Sequence, residues 1–187
     1  MDLKGGTIEL NNTKNEIVGI FDKNDNYIGK ATRKEMRSKN LIHRATDIVV
    51  LNQKNEILVQ TRSMKKEYCP GYLDATVGGV VGDGEDVYLS AKREVGEEIG
   101  IDIKNDNKLK YVLKYFFEED ISRCFSYEYY IKLTEDEVKS IVFRDNEVSS
   151  IEWYSKEKLI ECFKDKNFKI TNGSKQSILN LIKAGII

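Results

Sequence analysis

The chain has 187 residues with 30 Lys and Arg against 31 Asp and Glu, a formal net charge of -1, and is 40% hydrophobic and 33% charged. That length and composition suit one soluble globular domain with a small extension and exclude a disordered chain, and the balanced charge argues against a global pull on nucleic acid or an anionic membrane. No apolar run approaches the roughly 18 residues that a membrane span needs, and the polar opening MDLKGGTIELNN carries no secretory signal.

In chain order, EIVGIFD and YIGKA flank the turn residues KNDN and read as a β-hairpin. Thr32 and Glu35 have the spacing of a capping box for a short helix running to about Lys39. ATDIVVLN and EILVQTR, joined at QKN, give a second hairpin. Ser63 to Asp74 contains Pro70 and Gly71 and reads as a loop, after which ATVGGVV returns to strand character. Val87, Ala91, Val95 and Ile99 recur every four residues, which predicts a helix from Asp86 to Ile99 ended by Gly100. KLKYVLKYFF and CFSYEYYIKL read as long strands around the acidic turn EEDIS, and VSSIEWY as a short strand. SKEKLIECFKD, capped by Ser155, and SKQSILNLIKAG, ended by Gly185, close the chain as helices. The order implies an α/β or α+β fold with a mixed sheet between helices.

Cys69, Cys124 and Cys162 are far apart and form no CxxC, which disfavours a zinc knuckle or a disulfide framework and suits a reducing cytoplasm, the expected location. The single histidine, His43, rules out a site that needs two imidazoles; at the start of a strand it reads as a structural residue.

The chemistry concentrates in GGVVGDGEDVYLSAKREVGEEIGI, residues 78–101. Glu94, Glu97 and Glu98 fall at i, i+3 and i+4, on one face of the expected helix, where like charges repel. Arg93 lies four residues before Glu97 and Glu85 precedes the helix. A solvated helix face is one explanation. The other is a hard-cation site: clustered oxygen ligands without Cys or His partners suit Mg²⁺ or Mn²⁺, and Mg²⁺ shares its shell with substrate phosphates.

Counted from Gly79, the segment is Gly, five residues, Glu85, seven residues, Arg93-Glu94-Val95, one residue, Glu97-Glu98, one residue, Gly100-Ile101. It resembles the Nudix box at every defined position. The resemblance implies an α/β/α sandwich with a loop–helix–loop site. It also implies that Glu94, Glu97 and Glu98 bind the divalent cation with help from the carbonyl of Gly78 or Gly79, and that Arg93 and Glu85 hold the geometry. Residues 1–40 then form an N-terminal extension with the hairpin and short helix, and residues 41–187 the Nudix hydrolase domain. Gly96 occupies a variable position and reads as a place of close packing.

LIHRATDIVVLNQKNEILVQTRS and YCPGYLDATVGG are similar to the branch that contains isopentenyl-diphosphate isomerase. The isomerase cysteine and histidine would stand at Gly78 and Val80, and a further metal-binding histidine at Met36, so isomerase chemistry lacks its equipment here. The expected function is Mg²⁺-dependent cleavage of a phosphoanhydride in a nucleoside diphosphate linked to another group. An isomerase-like enzyme and a non-catalytic nucleotide-binding module are the alternatives. Catalysis is assigned to Glu97, Glu94 and Arg93. Glu97 is a candidate base beside Glu118, Glu119 and Asp120, while Glu147 reads as a turn or strand-capping residue. Arg44 and Arg62 could reach phosphate or be solvated strand ends. Tyr68 and Tyr72 could cover a base or leaving group, although packing is the plainer role. Phe116 lies where a proline would favour ADP-ribose, so that preference has no support. The expected partner is a small nucleotide or diphosphate substrate, not nucleic acid or membrane; a homodimer is left open.

Overall fold

The computed structural model describes residues 14–64, 68–143 and 148–187. Its strands are β1 (Ile17–Phe21), β2 (Tyr27–Thr32), β3 (His43–Leu51), β4 (Ile57–Arg62), β5 (Leu73–Asp74), β6 (Leu109–Glu119), β7 (Ser122–Lys132) and β8 (Val148–Tyr154). Its helices are α1 (Arg33–Ser38), α2 (Val87–Ile99), α3 (Glu135–Ser140), α4 (Lys156–Cys162) and α5 (Asn172–Lys183). β1 and β2 form a separate two-stranded sheet, and the main mixed sheet runs β5-β4-β3-β7-β6 with β8 on β4. The expected mixed α+β architecture is the one observed.

The central strand β3 is apolar on both faces, as a covered strand must be. Ile48 and Val50 pack with Ala91, Val95 and Ile99 of α2. Val49 and Leu51 pack with Ile178 and Leu181 of α5. The alternation of a strand thus sets the two helices on opposite faces, and each buried aliphatic side chain contributes roughly 2 kcal/mol. A third cluster joins Val18, Ile20, Ala31 and Met36 of the N-terminal hairpin and α1 to Val80.

The local signals place most ends. Thr32 Oγ1 accepts from Glu35 N–H at 3.1 Å at the start of α1. Asp86 accepts from the N–H groups of Tyr88 and Leu89 at the start of α2, and Gly100 closes it at φ 72°. Ser155 caps α4. α5 starts before the expected SKQ because Thr171 accepts from Ser174 N–H. α3 is an addition: Thr134 and Glu137 form a reciprocal capping box that TEDE spells in the sequence.

The second hairpin differs from expectation. β3 and β4 pair only at Leu51–Ile57: one edge of β3 runs parallel to β7 over its whole length, its other edge is taken by residues 77–80, and β4 pairs with β8. The Leu73–Gly82 segment fills the opening, bonding to β4 through β5 and to β3 through Val77 and Val80. ATVGGVV is therefore a series of single bridges and not a continuous strand. Its Gly78 has φ 153°, and a Cβ there would lie 1.9 Å from the Thr46 carbonyl oxygen, so only glycine fits against β3. Among the described residues no helix is long and apolar enough to cross a membrane.

Candidate active site

The wedge between β3 and β4 sets Gly79 beneath α2, and the spacing of α2 delivers the carboxylates to it. Thr46 N–H donates to the Gly79 carbonyl at 2.9 Å. A side chain at 79 would put Cβ 2.6 Å from Glu94 Oε1, so the glycine lets this carboxylate lie against the main chain.

Arg93 is the hub. Its Nε and Nη2 donate to the two oxygens of Glu85 at 2.9 and 3.1 Å, and its Nη1 donates to Glu94 Oε1 at 2.8 Å and Glu97 Oε2 at 2.9 Å. Gly82 N–H donates to Glu85 Oε2 at 2.9 Å, which fixes Glu85 to its own loop. The helical face grades in exposure: the Glu94 side chain is 11% exposed and that of Glu97 57%. Glu98 is partly buried.

The electrostatics follow the geometry. Burial pushes the Glu94 carboxyl up; Arg93, and more weakly Arg33 of α1, oppose the shift. Burial also acts on Glu85, but the Arg93 guanidinium and the Gly82 N–H outweigh it and hold this carboxyl below its ordinary value. Arg93 is held firmly charged, first by its bonds to Glu85. Four carboxylates, Glu85, Glu94, Glu97 and Glu98, thus share one short segment with Arg93. Among the described residues no three carboxylate, imidazole or thiol groups converge as placed on a single cation position, and the Arg93 guanidinium lies between Glu94 and Glu97. The all-oxygen donor set is of the kind that suits a hard cation, and Glu94 lies against the main chain at Gly79.

The remaining candidates go elsewhere. Glu118 is paired with Arg123 at 2.9 Å. Glu119 accepts from Tyr68 Oη at 2.9 Å and from Asn172. The Asp120 carbonyl accepts from Asn40 at 3.0 Å. None of these partners belongs to the box, and Glu147 lies outside the described residues. Arg44 and Arg62 are partly buried and ion-paired: Arg44 donates to Asp25 at 2.8 Å, and Arg62 donates to Asp74 at 2.6 Å. Tyr68 packs under Arg62 with its ring centroid 5.6 Å from the guanidinium, and Tyr72 is half-buried. His43 is 2% exposed, its Nδ1 3.1 Å from the Leu41 carbonyl, and burial lowers it to about 4, which keeps the ring neutral. Met36 is buried against the hairpin. The cysteines Cys69, Cys124 and Cys162 are free thiols. A shallow depression of 360 Å³ runs along the C-terminal half of α2 from Arg93 past Gly96 to Ile103.

A second polar group was not among the sequence expectations. Asp47 and Glu128 are register partners on β3 and β7, on the α5 face. Ser126 donates to Asp47, and Asn180 Nδ2 donates to Glu128 Oε2 at 2.7 Å. Glu128 is fully buried; burial is the main cause that raises it to about 8, with a contribution from Asp47, and burial raises Asp47 to about 6. The signal was one acidic residue inside each of two apolar strands, ATDIVVL and SYEYYI.

The NUDIX domain family model matches residues 41–175. An uncharacterized Nudix hydrolase of Yersinia pestis is 50% identical over 86 residues, 46% of this chain and 47% of that protein, so the chain spans about half the length of this relative. A prenyl-diphosphate phosphatase of Methanosarcina mazei is 30% identical over 180 residues, covering 90% of this chain and 96% of that one. The crystal structure of DR0079 from Deinococcus radiodurans superimposes with a TM-score of 0.69 at 21% identity, over 87% of this chain and 97% of that chain, and so shares the fold. With a family match over most of its length and the box folded as a loop and helix beneath a mixed sheet, the chain belongs to the Nudix hydrolase family.

Proposed function

We propose that this chain hydrolyses a phosphoanhydride bond in a small diphosphate-containing substrate, a nucleoside diphosphate linked to another group, with Mg²⁺ or Mn²⁺. The observation that carries the reading is the excess of carboxylates around Arg93: Glu85, Glu94 and Glu97 all bond to this one guanidinium, with Glu98 on the following position. Such an excess is repulsive unless further positive charge offsets it, as a bound cation would. Glu94, Glu97 and Glu98, with the main-chain carbonyl of Gly78, would hold the ion. When bound, a divalent cation neutralises phosphate oxygens and lowers the pKa of water.

The chain's own residues do the rest. Glu85 aims Arg93, and Arg93 orients Glu94 and Glu97 from between them. Glu97 is the more exposed of the two and is the better placed to take a proton from water at phosphorus, whereas Glu94 is enclosed against Gly79.

A second substrate class has its own support: the Methanosarcina mazei prenyl-diphosphate phosphatase matches along nearly the whole chain. The two classes share the diphosphate and differ in what it carries. The test is turnover of nucleoside-diphosphate conjugates and of prenyl diphosphates in ¹⁸O-water, with Mg²⁺ and with EDTA. Metal-dependent entry of label into a phosphate product is expected. Turnover unchanged by EDTA would overturn the mechanism, and binding without turnover of either class would favour a non-catalytic module.

A further inference from the structure

The segment before the matched domain touches the box directly. Asp83 N–H, between Gly79 and Glu85, donates to the Ile17 carbonyl at 3.0 Å, and Val18 bridges Gly82. Tyr27 Oη donates to Asp83 Oδ1 at 3.0 Å, and Lys30 Nζ lies 3.7 Å from Oδ2. The same loop then continues the chain of contacts inward, from Gly82 N–H to Glu85, from Glu85 to Arg93, and from Arg93 to Glu94 and Glu97. Beneath the loop, Val18, Ile20, Ala31 and Met36 bury themselves against Val80.

The hairpin is fastened at its turn. Asp25, at φ 63°, has a side chain 9% exposed. It accepts from Arg44 Nε at 2.8 Å, Lys114 Nζ at 2.8 Å and Tyr127 Oη at 3.1 Å. These donors come from β3, β6 and β7, so one turn carboxylate is tied to three strands of the main sheet. The Arg44 guanidinium also lies 4.1 Å from the centroid of Phe21 in β1. Without Asp25, Arg44 and Lys114 would face each other across a partly buried space, and like charges there repel.

We propose that the β1–β2 hairpin is a positioning element of the box loop and that Asp25 is the latch that holds it. The inference rests on reading the box as a cation-dependent hydrolytic site. Asp25 touches no box residue; it acts through the hairpin, Asp83 and Glu85. Tyr27 and Lys30 are the positioning residues that meet the loop.

The experiment compares the full-length wild type, Asp25→Ala and Asp25→Glu by amide hydrogen exchange, Mn²⁺ binding by electron paramagnetic resonance, and kcat and KM. In Asp25→Ala the Ile17–Thr32 and Gly82–Glu85 amides should exchange about tenfold faster while those of β3 and β7 keep their protection, as expected for a lost charge-assisted bond. The Mn²⁺ dissociation constant should rise and kcat should fall, each by about five- to tenfold, with KM within about twofold. Asp25→Glu should recover part of each. Fast hairpin exchange with Mn²⁺ affinity and kcat within about twofold of wild type would overturn the positioning role, and unchanged hairpin exchange would overturn the latch. If Asp25→Ala does not fold, the Tyr27→Phe, Lys30→Ala double variant cuts only the exposed contacts to Asp83 and is read by the same criteria. A wild type that binds no Mn²⁺ would refute the hydrolytic reading itself, and Asp83 exchange would still decide whether the hairpin holds the loop.

Discussion

Replacing Glu128 by glutamine should make the protein more stable in mild alkali and flatten its response to pH. Glu128 is fully buried on β7, beside Asp47 and beneath α5, and its carboxyl is raised from 4.5 to about 8. A raised acid favours the folded state below its unfolded pKa, where both states hold the proton. That advantage is lost as pH climbs through the folded value, because burial then costs a bare charge. The window runs from pH 4.5 to about 8. At 1.36 kcal/mol per pH unit the ceiling of the loss is about 5 kcal/mol. Glutamine keeps the shape and the acceptor for Asn180 Nδ2, now 2.7 Å from Glu128 Oε2, and carries no charge. The assay is urea unfolding of both proteins at pH 5 and pH 8.5. We expect similar midpoints at pH 5 and, at pH 8.5, a variant midpoint higher by roughly 1 M, equivalent to about 2 kcal/mol. Asp47, raised to about 6, adds a slope of the same sign at lower pH that the variant retains. Parallel pH profiles, or a variant less stable at pH 8.5, would refute the claim that an ionised Glu128 burdens the fold.

Other outcomes follow from the box. Glu98→Gln should lower kcat at least about a hundredfold if it is a cation ligand; a loss below about tenfold would mean that the ion sits elsewhere. Millimolar Mg²⁺ should raise the melting temperature of the wild type and raise that of Glu98→Gln much less, with equal, negligible shifts counting against the site. Gly79→Ala should disturb Glu94, whose Oε1 would be 2.6 Å from the new Cβ, and so weaken Mn²⁺ binding with little loss of fold. Gly78→Ala meets the Thr46 main chain at 1.9 Å and should instead cost several kcal/mol of stability, of order 2–4, in urea melts.

Much of this protein was legible as local pattern. The four-residue recurrence of Val87, Ala91, Val95 and Ile99 dictates the face that α2 buries, and Asp86 and Gly100 supply the groups that end it. Because side chains at i, i+3 and i+4 share a helix face, the common side of α2 that carries Glu94, Glu97 and Glu98 followed from spacing, as did the reach of Arg93 to Glu97, observed at 2.9 Å. Thr134-Glu137 carries the same kind of local signal, a capping box, for a helix of only six residues.

Pairing between distant strands was not legible, since hydrogen bonds between backbones carry no residue code. QKN announces a hairpin, yet β3 and β4 stay paired only next to that turn, because residues 77–80 enter between them, while β3 binds β7, some eighty residues on, at its other edge and β4 finds β8. Only that arrangement opens the wedge that receives Gly78 and Gly79 and so presses Glu94 to the main chain. It also decided the arginines. Arg44 and Arg62 were plausible phosphate ligands by composition, but folding brought Asp25 and Asp74 within 2.8 and 2.6 Å of them, and a partly buried cation takes the carboxylate that the fold supplies. The sequence by itself determined the box, its helix and its donor chemistry, because these depend on neighbours a turn away. Tertiary structure alone decided which glutamates are enclosed, where Asp47 and Glu128 meet, and that the hairpin before residue 41 lies on the box loop, because burial and charge pairing depend on which distant segments share the same space.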